Sequence, residues 1–301
     1  MDKTTTIAVV VCYEPDLARL TELLSATRPQ VDALVVVDNG SDVEVESVLA
    51  EMALHGEIHV LQLSENSGLA YAQNQGIEWA RSQGASHILL LDQDSLPAKN
   101  MVGILLAAHA ELLAAGLCPS AVGPRLTDAH LQRGTSFFRS EGLRTRWLNC
   151  ETGSETHAVD GLIASGSLIP ITVLAAVGPM NGDLFIDYVD REWHLRARRC
   201  GFQAFGICAA NMIHRLGDEP VKVAGHSVPM HQSLRHYYYF RNAVWLYRQS
   251  WVPWVWKLSD GWRLIRKFVF YAVFAHPRRA HLAMMLRGIR HGMANRLGKF
   301  G

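Results

Sequence analysis

Residues 6 to 13, Thr-Ile-Ala-Val-Val-Val-Cys-Tyr, form a β-branched apolar run that Glu14-Pro15-Asp16 interrupts. Leu17, Leu20, Leu23 and Leu24 then recur at helical spacing, which predicts an amphipathic helix behind a first strand. The alternation repeats. Residues 33 to 37 predict a second strand ending in Asp38-Asn39-Gly40-Ser41. A third, Ile58 to Leu63, leads into Asn66-Ser67-Gly68 and a helix from Ala70 to Gln83, and a fourth, His87 to Leu91, stops at Asp92. Strands apolar on both faces and separated by helices imply right-handed crossovers and a parallel sheet. Such sheets bind ligands beyond the carboxyl ends of their strands, where Asp38, Asn66 and Asp92 all fall. From residue 120 the alternation loosens, and residues 120 to 160 read as a polar, irregular, substrate-facing insertion. Phe185-Ile186-Asp187-Tyr188-Val189-Asp190 then runs into a helix that Gly201 ends.

With 301 residues, 49% of them hydrophobic, the chain has material for one catalytic domain and an appendage. Five cysteines without a CxxC pair, an odd number, favour free thiols in a reducing compartment. No cationic stretch followed by a cleavable apolar segment opens the chain, so no export signal is expected.

The net charge of +1 conceals an asymmetry. After residue 250 ten basic residues face a single acid, Asp260, an excess of nine positive charges that leaves the first 250 residues at −8. Trp251, Trp254, Trp256, Trp262 and Phe268 accompany that basic end, which points to a lipid surface rather than to nucleic acid. The longest apolar run there, Phe268 to Ala275, falls short of the ~20 residues of a spanning helix. Trp262, Ile265, Val269 and Ala272 share one helical face near Arg263, Arg266 and Lys267, as in an interfacial helix. A helix packed on the catalytic domain, or one making a dimer, would show the same pattern.

Leu89-Leu90-Leu91-Asp92-Gln93-Asp94-Ser95 is the strongest local signal. An apolar strand carries two carboxylates to the ligand edge of the sheet, where a hard divalent cation can bridge them to diphosphate oxygens. A solvated turn has the same composition; the position at the strand end favours the metal.

The ordered set of motifs resembles family 2 glycosyltransferases and, within them, bacterial L-rhamnosyltransferases. It comprises Val10-Val11-Cys12-Tyr13-Glu14-Pro15-Asp16, Val37-Asp38-Asn39-Gly40-Ser41, Asn66-Ser67-Gly68-Leu69-Ala70 with Asn74-Gln75-Gly76, and Leu91-Asp92-Gln93-Asp94-Ser95. Ser165-Gly166-Ser167, Phe185 to Glu192, His214 with Gly217-Asp218, and Tyr237 to Asn242 follow in the family's order. The resemblance implies a GT-A fold, a Rossmann-like, mostly parallel α/β sheet flanked by helices. Residues 1–245 would form the catalytic domain, with the nucleotide half ending near 118, and residues 246–301 a basic, aromatic helical tail.

Position by position, the resemblance implies that Asp38 bonds a pyrimidine base flanked by Val11 and Tyr13. Asn66 and Gly68 would close over the nucleoside, with Asn74 and Gln93 also on the donor. Asp92, Asp94 and His214 would ligate Mn²⁺ or Mg²⁺, and Arg241, or less directly Arg235 or His236, would face the diphosphate. Asp190 would be the general base of an inverting displacement, with Asp187 as the fallback and Glu192 placing a partner. Each has a structural alternative. Asp38-Asn39-Gly40 suits a tight turn, Gly68 a permissive helix entry, Asp190 a helix N-cap, His214 a structural histidine and Arg241 a surface ion pair. Arg191 and His194 beside Asp190 also leave the base assignment open.

The implied donor is dTDP-L-rhamnose, another deoxyhexose or galactofuranose nucleotide being the nearest rival. The implied acceptor is a lipid-linked glycan or lipid-like hydroxyl at the inner face of the cytoplasmic membrane. A nucleotidyltransferase or dehydrogenase would need a glycine-rich loop where Cys12-Tyr13-Glu14-Pro15 stands. A non-catalytic glycan-binding protein would not need Asp92, Asp94 and Asp190 together. Acceptor choice is expected within residues 130 to 157.

Overall fold

In the computed structural model, alternate residues of the first strand enter different cores, which is why its sequence is apolar without interruption. Ile7, Val9 and Val11 join one buried cluster, and Ala8, Val10 and Cys12 join another on the opposite face. The structure describes residues 4–51, 58–128, 137–141, 144–214, 221–223, 226–228 and 232–301.

The first half runs β1 (Thr6–Cys12), α1 (Leu17–Thr27), β2 (Ala33–Asp38), α2 (Val45–Glu51), β3 (Ile58–Gln62), α3 (Leu69–Ser82), β4 (His87–Asp92), β5 (Ser95–Pro97) and α4 (Met101–Ala114). Asp16 caps α1 by accepting from the amides of Ala18 and Arg19. Then follow β6 (Pro119–Asp128), β7 (Phe137–Glu141), β8 (Arg144–Leu148), β9 (Thr156–Val159), β10 (Leu168–Pro170), α5 (Ile171–Val177), α6 (Val189–Arg199) and β11 (Gln203–His214). The short strands β12 (Val221–Val223) and β13 (His226–Val228) precede α7 (Ser233–Arg248), α8 (Trp254–Phe274) and α9 (Arg278–Met293).

Among the described residues the main sheet has the order β3-β2-β1-β4-β10-β6-β11-β5, with β9 on β11. Strands β1 to β4 are parallel as expected, while β10, β5 and β9 run antiparallel to their neighbours. The chain order reverses between β1 and β4, which opens a crevice at their carboxyl ends. Register aligns that edge: Val11 pairs with Asp92, Cys12 with Asp38, and Asp38 with Gln62.

Two expectations are corrected. Much of 120–160 is strand rather than irregular coil: β6 enters the main sheet and β7 pairs with β8 as a hairpin. Pro119, Gly123 and Pro124 lie within β6 and hide its pattern. Residues 130–136 and 142–143 of the expected acceptor stretch, and Gly217 and Asp218 after His214, lie outside the described residues. Second, Cys150 and Cys208 form a disulfide, leaving Cys12, Cys118 and Cys200 free. Two positions 58 apart in sequence meet because β9 lays the segment after Cys150 along β11. The thiol argument for a reducing compartment therefore falls.

The helices α8 and α9 pack on α7 and on the loop before α6. Tyr188 of the loop before α6, Phe240 and Leu246 of α7, Leu264 and Tyr271 of α8 and Met285 of α9 share a third cluster. Gly288 and Gly292 let α9 approach α7 closely; a Cβ at either would collide with the carbonyl oxygen of Tyr237 or Arg241. Asp260, the lone acid of the tail, is buried on α8. It accepts from Tyr188 Oη at 2.7 Å, Tyr247 Oη at 2.6 Å, Arg191 at 2.9 Å and Arg263 at 2.8 Å. Among the described residues no helix is long and apolar enough to cross a membrane. Asp260→Ala leaves two guanidinium groups and two hydroxyls without their acceptor. It should lower unfolding free energy by on the order of 3 kcal/mol in urea titration, and an unchanged midpoint would deny that this carboxylate anchors α8.

Candidate active site

Asp92 closes β4, Asp94 stands in the turn to β5, and His214 ends β11, which pairs antiparallel with β5. One ligand atom from each of the three lies within 4.8 Å of the others. His214 Nδ1 is 2.9 Å from Ser95 Oγ and 3.6 Å from Asp94 Oδ1. Ser95 Oγ also bonds Ser165 Oγ, which accepts the Asp92 amide at 3.0 Å. The serines thus orient both the strand end and the imidazole. Two carboxylates and an imidazole, hard oxygen donors with one borderline nitrogen, fit a divalent cation in the size range of Mg²⁺ and Mn²⁺. Burial pushes the Asp92 carboxyl up to about 6 against the lowering field of His214, and neighbouring Asp94 raises it further. A cation bound there would relieve the crowding of the two carboxylates.

Asp190 occupies the second position of α6, and the N-cap is Tyr188. The carboxylate therefore does not cap the helix. Burial lifts it to about 7, Asp92 adds to the rise, and the Ala164 amide bonds it and opposes the shift. The Ala164-Ser165 turn thus holds Asp190 by one amide and the end of β4 by the next side chain. Arg191 pairs with Asp260 and lies 4.9 Å from the Tyr188 ring centroid, and buried His194 is held down at about 4. A neutral His194 adds no positive charge beside Asp190.

Asp190 is delivered by an unusual backbone. Phe185, Asp187 and Tyr188 all have positive φ, at 66°, 62° and 63°, although none is glycine. Each such residue costs roughly 1–3 kcal/mol and persists only where its surroundings impose it. Asn242 Nδ2 donates to the carbonyls of Leu184, Ile186 and Asp187 at 2.8–2.9 Å. Arg241 donates to the carbonyls of Asp183, Leu184 and Gly298 and to Asn242 Oδ1. Phe185 stacks on Tyr238 at 4.7 Å, and Arg235 pairs with Asp187 at 3.3 Å.

On the nucleotide side, Asp38 is 1% exposed. Its Oδ1 accepts from the amide and hydroxyl of Ser41, whereas the buried Oδ2 has no protein partner. An orphaned carboxylate oxygen at the crevice suits an N–H of a ligand. Asn66 Oδ1 accepts from the Gly68 amide and from Asn39 Nδ2, so Asn66 shapes its own loop. Gly68 has φ +92°, and a Cβ there would strike Phe185, so glycine is required both by the backbone and by contact with the strained loop. Gln93 Oε1 accepts from the Tyr13 amide at 2.7 Å, beside Val11.

Three expected site residues take structural places. Arg241 is fully buried, and its donors meet backbone carbonyls rather than an open crevice. Asn74 exchanges two hydrogen bonds with the backbone of Met180. Glu192 is 3% exposed and bound by Arg196 through both oxygens, with Arg196 also holding the carbonyls of Val177 and Pro179. Conversely, Ser95 and Ser165 touch candidate site residues without having been assigned roles there, and Arg235, expected less directly at the diphosphate, pairs with Asp187. The Ser165-Gly166-Ser167 motif was the available signal for one of them.

A mostly parallel sheet whose ligand edge gathers an aspartate pair, an imidazole and a separate helix-borne carboxylate fits the GT-A glycosyltransferases that the sequence resembles. The sequence profile of Glycosyl transferase family 2 matches residues 6–164. The dTDP-rhamnosyl transferase RfbF of Shigella flexneri is 33% identical over 252 residues, 82% of this chain and 81% of that protein. The chain belongs to glycosyl transferase family 2 and is a glycosyltransferase. In solved structures the fold matches GalNAc-T7 with UDP, GalNAc and Mn²⁺ at TM-score 0.64 and 12% identity, over 97% of this chain and 56% of that one. It matches residues 1–349 of S. aureus TarS at 0.54 and 17%, over 97% and 82%. The chain thus spans little more than half of the GalNAc-T7 chain.

The raised Asp190 carboxyl has a consequence for stability. Above the ordinary carboxylate range the unfolded chain has released this proton while the folded protein retains it until about 7. The stabilising contribution is full below that range and is lost as pH rises through about 7. In metal-free buffer Asp190→Asn should therefore melt above the wild type at pH 8, the gap narrowing as pH falls towards ~4. A constant gap would show that Asp190 is not crowded.

Proposed function

We propose that the enzyme moves L-rhamnose from dTDP-L-rhamnose to a hydroxyl of a lipid-linked glycan or lipid-like acceptor, with inversion at the anomeric carbon. The observation that supports the reaction type is that Asp190 and Asp92 hang from one turn, Ala164 bonding the first and Ser165 Oγ the amide of the second, so the proposed base and metal ligands would share one crevice. The relative's name supports the donor. The unpartnered Asp38 Oδ2 suits the N3–H of thymine, with the Tyr13 backbone held alongside by Gln93.

Asp92, Asp94 and His214 would hold the cation, and the imidazole among them favours Mn²⁺ over Mg²⁺. When bound, a divalent cation neutralises charge on the departing diphosphate. Asp190 accepts the proton of the acceptor hydroxyl as that oxygen attacks the anomeric carbon opposite the diphosphate, and the sugar–phosphate bond breaks with its electron pair on the leaving nucleotide. Its raised affinity for a proton suits a base working near neutral pH. Asp187 faces Arg235, which leaves it the weaker candidate.

Nucleotide release from a panel containing dTDP-rhamnose and UDP-sugars should be greatest with dTDP-rhamnose. Asp94→Ala should abolish the Mn²⁺-dependent part of dTDP affinity. Asp190→Asn should retain that affinity and lose transfer by about a hundredfold or more. Full turnover in Asp190→Asn would move the base elsewhere, and preference for a UDP-sugar would reject the donor.

We read residues 246–301 as an appendage seated on the cytoplasmic face of the membrane. Trp254, Leu258, Trp262, Ile265, Val269 and Val273 form a stripe along α8, each 46–66% exposed. An apolar stripe beside basic residues is the signature of an interfacial helix. Of the expected basic trio, Arg263 is bound to Asp260 and Lys267 sits on Tyr239, leaving Arg266 outward. Changing Trp254, Trp262 and Ile265 together to serine should release the enzyme from anionic vesicles without lowering its melting temperature. A monomer that still sediments, or a dimer that these changes dissociate, would reject the lipid seat.

A further inference from the structure

Between α7 and α8 lies a cleft of ≈130 Å³ lined by Asp187, Arg235, His236, Tyr239, Lys267 and Tyr271. Every lining residue comes from position 187 onward, and none from the half that carries Asp38 and Asn66. The Arg235 bonds to Asp187, at 3.3 and 3.4 Å, are long, and among the described residues no other acceptor meets the guanidinium, which has further N–H groups to offer a ligand. The Lys267 ammonium sits 4.1 Å from the Tyr239 ring centroid, and among the described residues no carboxylate lies within ion-pair distance of it. The Tyr271 ring packs 4.0 Å from His236, and burial keeps its hydroxyl protonated, a donor.

Two of the lining residues tie the cleft to the acidic crevice: the charge of Arg235 acts on Asp92, and that of Asp187 on Asp190. In a crevice otherwise crowded with aspartates, two cations against one carboxylate form a local positive site. A sugar hydroxyl needs no such charge, whereas a phosphate does, the guanidinium offering a paired fork and the ammonium a point charge. The helix that supplies Lys267 and Tyr271 inward presents Trp262, Ile265 and Val269 outward. A phosphate held on the inner face of α8 therefore lies one helix diameter, about 10 Å, from the proposed lipid-facing stripe.

We propose that this cleft binds a phosphate group of the acceptor, the one that joins its sugar to a lipid, and so sets the attacked hydroxyl beside Asp190. This rests on the reading of a lipid-linked acceptor above. The same chemistry could come from the donor diphosphate, and the test separates the two. Protein saturated with dTDP in metal-free buffer is titrated calorimetrically with phenyl phosphate, alongside phenol. One phosphate site should appear and phenol should not bind. Lys267→Met should weaken phosphate binding at least tenfold, Lys267→Arg should restore it, and Arg279→Met, an equal charge loss at an exposed position of α9, should leave it intact. In kinetics, Lys267→Met should raise KM for a diphosphate-linked sugar acceptor at least tenfold but not for the same sugar on a neutral alkyl chain, while dTDP affinity stays constant.

Phosphate binding that dTDP abolishes would assign the cleft to the donor and overturn the proposal. So would equal KM changes for the two acceptors, or wild-type phosphate affinity in Lys267→Met. Failure of dTDP to bind would instead reject the donor reading, and the phenyl phosphate titration would still decide the cleft.

Discussion

Asp92 and Asp190 are drawn into one crevice with less water than two carboxylates need, and much of the molecule is arranged to hold them there against their repulsion. Asp92 arrives on a strand buried on both faces, so its position is set by the core. Asp190 arrives differently. Three non-glycine residues in left-handed conformations turn the chain into α6, and side chains of α7 restrain that turn through its carbonyls. The Ala164-Ser165 turn meets both acids, and this shared support holds Asp190 at a fixed separation from the Asp92–Asp94 pair, as the proposed base and metal ligands require. Preorganised charge of this kind contributes to catalysis because no rearrangement is needed when the bond breaks.

The tail belongs to the same scheme. A basic segment with one acid reads as a surface element, yet that acid is buried and binds four partners on α6, α7, α8 and the loop before α6. Tyr188 and Arg191, which flank Asp190, both end on Asp260. The helix that anchors the turn before Asp190 on one side presents, among the described residues, an exposed row of Trp, Leu, Ile and Val on the other. Amphipathicity along α8 is therefore divided between an aromatic inner packing face and an exposed apolar one.

Arg241, Asn74 and Glu192 show how family motifs mix chemistry with architecture. Each is a polar residue within or beside a recognisable motif, and each satisfies buried backbone groups or a buried cation instead of facing the crevice. Buried carbonyls without partners are costly, so a tight loop at an active site needs such residues as much as it needs its catalytic acids. Sequence spacing does not distinguish the two uses.

The parallel half of the sheet, its strand ends and the acidic pair are legible in the order of amino acids, because hydrophobic periodicity and turn residues are local properties. Ile58, Leu69 and His87 open elements where the periodicity places them within one residue. Other features depend on distant segments meeting. The Cys150–Cys208 bond, the pairing of His214 with Ser95, the left-handed turn at Phe185 to Tyr188 and the burial of Asp260 each join residues far apart in the chain. Packing between distant segments settles them: whether a charge is paired, or a strained backbone tolerated, is set by what lies against it.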